Sequence, residues 1–172
     1  MVRILKIYWT VCRTEHVWKS GLYAVLLGIV TIAFAEKITS VNIRTISSIV
    51  QMSIPVLTFQ AALHSSSLLF FANTNLSIIE KFRNRMVIKE RKKTIYSQFD
   101  QVCEYFSWSV LVQFMILLVN FIAYIIVSDS KSSDSNMIFI ALAVLLTSMV
   151  FYALIICMIN IGLIFEIITW KK

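Results

Sequence analysis

His64 is the one histidine deep within an apolar run, and Ser65, Ser66 and Ser67 follow it directly. Nucleophilic chemistry would have to start there. A hydroxyl attacks only when a base takes its proton and a third group orients that base. No carboxylate lies near His64 in the sequence, and no glycine-rich turn is present to stabilise an oxyanion. The chain also lacks H-E-x-x-H, G-x-S-x-G and Walker patterns, and its cysteines, Cys12, Cys103 and Cys157, form no C-x-x-C pair. Glu166 is only a few residues from Lys171 and Lys172, a position for an inner interface and not for a proton relay. The sequence therefore predicts a non-enzymatic protein with no catalytic, cofactor or metal residues.

Hydrogen-bonding chemistry remains. One apolar run carries Gln51, Ser53, Thr58, Gln60 and His64, and another carries Gln113 and Asn120. Such groups rarely face hydrocarbon, so they are expected inside a helix bundle or along a water-filled pore. Spacing leaves both readings open. Ser109, Gln113, Asn120 and Tyr124 fall on one helical face, the expected partner of the polar stripes of the preceding span. Gly21, Ala24, Gly28, Thr31 and Ala35 recur at alternating steps of three and four, a small-residue seam along which two helices can approach closely.

The elements that hold these residues follow from length and charge. The chain has 172 residues, 59% hydrophobic and 15% charged, with three glycines and one proline. Soluble domains carry about 25% charged residues, and collagen-like or low-complexity chains need far more glycine and proline. Four stretches are free of Lys, Arg, Asp and Glu: Ser20–Ala35, Thr45–Ile79, Tyr105–Ser128 and Ser135–Phe165. A helix rising about 1.5 Å per residue needs roughly 20 residues to cross a hydrocarbon core. The expected spans are 18–36, 46–72, 105–127 and 137–165, in an all-α, four-helix antiparallel membrane bundle. Residues 1–17 are read as an amphipathic interfacial helix, and 73–104 as a basic cytoplasmic segment forming a helical hairpin. Its helix is expected to start at Ser77, where S-x-x-E spacing to Glu80 resembles a capping box.

Lys and Arg counts orient the bundle. The N-terminal segment, the segment 81–93 and the C-terminus together carry thirteen, while the other side has only Lys37, Arg44 and Lys131. The positive-inside rule then puts both termini and the central segment in the cytoplasm. The net charge of +7 is thus mainly a topology signal and argues little for nucleic acid. What it leaves over is a basic segment with Lys81, Arg83, Arg85, Lys89, Arg91, Lys92 and Lys93, and with Met86 as an apolar anchor. A surface of this kind suits a cytosolic protein partner or anionic lipid headgroups.

In its four spans, with Lys81–Lys93 as the docking segment, the chain resembles the KwaA-type membrane subunits of Kiwa anti-phage systems. The resemblance implies a membrane subunit that recruits a cytosolic effector. The expected function is an oligomeric anchor or sensor in a bacterial inner membrane, working for a partner at the basic segment. A small channel, a membrane-permeabilising effector and a bacteriocin-immunity-type protein are the alternatives.

Overall fold

The fold was obtained as a computed structural model, which describes residues 15–38, 40–73, 80, 84, 86–89, 94–128 and 137–169. Four long helices dominate: α1 (Glu15–Ile38), α2 (Ile43–Asn73), α3 (Gln98–Ser128) and α4 (Met137–Thr169). Each is long and apolar enough to cross a membrane. Their apolar residues run nearly all the way round, the composition of helices that do not face water.

The turn between α1 and α2 is held by side chains. Asn42 caps α2, its Oδ1 accepting from the backbone N–H groups of Arg44 at 3.0 Å and Thr45 at 3.2 Å. Thr45 Oγ1 accepts in return from Asn42 N at 3.3 Å, so the N-terminal donors of the helix are satisfied reciprocally. One residue earlier, Val41 N donates to Glu36 Oε2 at 2.7 Å, which ties the end of α1 to the start of α2.

Between α2 and α3 the fold departs from the helical hairpin expected over 73–104. Glu80 and Asn84 are helical, but Met86–Lys89 (β1) and Thr94–Ser97 (β2) form an antiparallel β-hairpin. Val87 pairs with Tyr96 and Ile88 with Ile95. The physical reason is side-chain shape. Val, Ile, Thr and Tyr favour a pleated strand, and here they cluster on both sides of the charged connection 90–93. Ser97 is buried, and α3 begins at the next residue. The expected interfacial helix over 1–17 and the start at Ser77 lie largely outside the described residues.

The strongest helix pairings are α2 with α3 and α1 with α4; α4 also packs on both middle helices. Three apolar layers fill the bundle. One joins Ile32, Val41, Ile46, Val50, Ala123, Ala143 and Leu146. A second joins Leu57, Val112, Ile116 and Ala153, and a third sets Val102 and Phe106 against Leu68, Phe99 and Ile164.

Candidate functional site

Polar rungs separate these apolar layers. Along α2 the order is Val50, Ser53, Leu57, Gln60 with His64, then Leu68, so each polar step sits between two hydrophobic ones. The first rung is Ser53 Oγ donating to Asn120 Oδ1 at 2.9 Å, with both residues buried. Asn120 Nδ2 donates to Ile116 O at 2.9 Å, which fixes the amide for that role.

The second rung is built on Gln113. Its Nε2 donates to Gln60 Oε1 at 3.3 Å and lies 3.0 Å from His64 Nδ1, while its Oε1 lies 3.2 Å from the same nitrogen. Either imidazole tautomer therefore finds a partner in this amide. His64 is fully buried, and its ring meets the Phe106 ring edge-on at 5.6 Å. Among the described residues its Nε2 has no hydrogen-bond partner. The tautomer protonated on Nδ1 leaves only an unfilled acceptor there, which costs less than a buried, unbonded N–H. The rungs descend α2 as they climb α3, so these helices run antiparallel.

The third rung reaches α4. Asn160 Nδ2 donates to Ser109 Oγ at 2.5 Å, one turn along α3 from Gln113, and Ser109 Oγ donates to Tyr105 O at 2.9 Å. Asn160 is buried, with Oδ1 unpartnered among the described residues. Asn160 is not among the expected interior residues, although a lone asparagine within an apolar span is itself a signal of an interhelical bond.

Of the expected interior set, Ser53, Gln60, His64, Gln113 and Asn120 come together in these rungs. Gln51 and Thr58 do not: both are exposed on the outer face of α2, with Pro55 between them. Tyr124, expected on the polar face of α3, is also exposed. In the small-residue seam, Ala24 and Gly28 are buried against α4, whereas Thr31 is exposed and Gly21 and Ala35 are half-buried. The helix instead buries Ser20, Ala24, Gly28 and Ile32, a uniform step of four. Of the expected docking residues, Met86 and Lys89 lie in β1. Lys81, Arg83, Arg85, Arg91, Lys92 and Lys93 lie outside the described residues.

Fold and site together define a class: four long apolar helices closed around interhelical rungs of amide, hydroxyl and imidazole. No protein family, curated protein or solved structure matches the chain.

Proposed function

We propose that the chain is a non-enzymatic subunit of a membrane, with both termini and the segment 73–104 on the cytoplasmic side, that docks a cytosolic protein on its basic segment. The observation carrying this reading is the β-hairpin Met86–Lys89/Thr94–Ser97, placed between two core helices in the most basic stretch of the chain. Among the described residues neither strand pairs with a third strand, so an extended segment of a partner would add to this sheet by main-chain hydrogen bonds. Lys and Arg before β1 and in the connection 90–93 would steer an acidic surface toward the hairpin and hold anionic lipid headgroups nearby.

The rungs support an anchoring role over a conducting one. Ser53, Gln60, His64, Gln113 and Asn120 bond to one another within a single chain, which is how polar residues join helices in lipid. The resemblance to KwaA-type subunits favours a setting in antiviral defence in a bacterial inner membrane.

Charge reversal at Arg83, Arg85, Arg91 and Lys92, followed by purification from the native host, tests the reading. A cytosolic protein is expected to co-purify with the parent chain and be lost from the variant. Equal recovery with both chains, or no partner with either, overturns it.

A further inference from the structure

The outer face of α2 combines two features that a lipid-facing helix does not tolerate well. Ser48, Gln51, Pro55, Thr58 and Ala62 are all exposed and follow alternating steps of three and four, so they make one continuous stripe. Two of its hydroxyls are satisfied by their own helix, Ser48 Oγ donating to Arg44 O at 2.9 Å and Thr58 Oγ1 to Ile54 O at 2.8 Å. Gln51 is different. The hydrogen bond of its amide is a long one, Nε2 to Ser47 Oγ at 3.4 Å, which leaves the Oε1 acceptor and a second N–H to be filled. Pro55, four residues on, has no N–H, so the backbone carbonyl of Gln51 also lacks its helical donor. A spare amide and a spare carbonyl thus sit on one residue. With a rise of about 1.5 Å per residue, that residue is about 12 Å along α2, well inside a hydrocarbon core.

We propose that this stripe is the contact between two copies of the chain, related by a two-fold axis that passes beside Gln51. The inference rests on the membrane reading, because only in lipid is an unfilled amide so costly. A glutamine amide is both donor and acceptor, so an identical residue across a two-fold axis supplies what each copy lacks: the Nε2 of one donates to the Oε1 or the Pro55-freed carbonyl of the other. Ser48, Pro55 and Ala62 are small enough for the helices to approach that closely. Met52 and Phe59, 73% and 70% exposed, flank the stripe and cover its edge. The rungs in the core of each copy are untouched by the pairing.

The test uses the full chain in native membranes, with Cys12, Cys103 and Cys157 replaced by alanine and one cysteine introduced at a time. Under mild oxidation, Ser48→Cys and Thr58→Cys, which leave Gln51 in place, are expected to give a disulfide-linked dimer. Phe121→Cys, exposed on α3, is expected to give none. In the chain with its natural cysteines, energy transfer between labelled copies in lipid vesicles should show roughly tenfold weaker association for Gln51→Leu, with Gln51→Asn retaining most of it. Cross-linking at Phe121→Cys equal to that at Ser48→Cys, a monomeric parent chain, or a stoichiometry above two overturns the interface. Carbonate extraction of the same membranes separates the two ideas. Protein that stays in the membrane as a monomer removes the interface alone, while protein that washes out removes the membrane reading beneath it.

Discussion

Gly28 of α1 meets Ser148 of α4 with no room for a β-carbon. A Cβ built on Gly28 would overlap the Ser148 hydroxyl and stand 3.0 Å from its backbone nitrogen and 3.1 Å from its Cα. Ser148 cannot turn away freely, because its Oγ is bonded to Val144 O at 2.6 Å. Two backbones have approached to the limit that glycine permits.

Gly28→Ala is therefore expected to destabilise the protein by about 1–3 kcal/mol, the range for overpacking a close contact. Gly21→Ala, with nothing within 4 Å of the added carbon, is expected to be neutral. Thermal denaturation in detergent compares them. Adding Ser148→Gly to Gly28→Ala should restore only part of the loss, since the backbone of Ser148 is also in the way.

Gln113 serves two residues of α2 at once, so its loss strands both Gln60 and His64. Gln113→Leu is expected to cost about 1–3 kcal/mol, the penalty for leaving buried polar groups unbonded. A double-mutant cycle with His64→Phe should give a coupling energy of roughly 0.6–1.7 kcal/mol, the size measured for interhelical hydrogen bonds in membranes. A coupling near zero would mean that the two side chains do not act as one rung.

The β-hairpin offers a local test of the docking site. Ile88→Pro removes a main-chain donor from β1 and cannot be accommodated in a paired strand. Recovery of the cytosolic partner is expected to fall severalfold while the denaturation profile of the helices stays unchanged. Loss of both together would show that the hairpin belongs to the bundle and not to a partner.

Purified chain in liposomes is expected to pass no more ions than protein-free vesicles, because the polar groups of the core are bonded to one another across helices. A steady conductance lost in Gln51→Leu and retained in Gln113→Leu would instead place a pore along the outer stripe of α2.

The four helices were legible in the sequence because uncharged length is a property of composition and needs no tertiary context. The rung residues on α2 and α3 were legible for a related reason: glutamine, asparagine and histidine in apolar runs must find partners, and helical spacing showed which of them share a face. Spacing does not say which face turns inward. Gln51 and Ser53 are two residues apart and both polar, yet only Ser53 meets α3. The β-hairpin was missed because 73–104 was read by a helical period, where the local preference of Val87, Ile88, Ile95 and Tyr96 decides the outcome. Asn160 was missed because its partner, Ser109, is fifty-one residues away and already bonded to its own helix.

The main packing partner of α1, the first of the four helices, is α4, the last of them in the chain. During synthesis α2 and α3 emerge next to each other and can bond as soon as both are in lipid. For α1, the surface that seats Gly28 does not exist until Ser148 has been translated. Closure of this bundle is thus a late event in biogenesis, and a ribosome stalled before residue 137 would hold a first helix still open to insertases and chaperones.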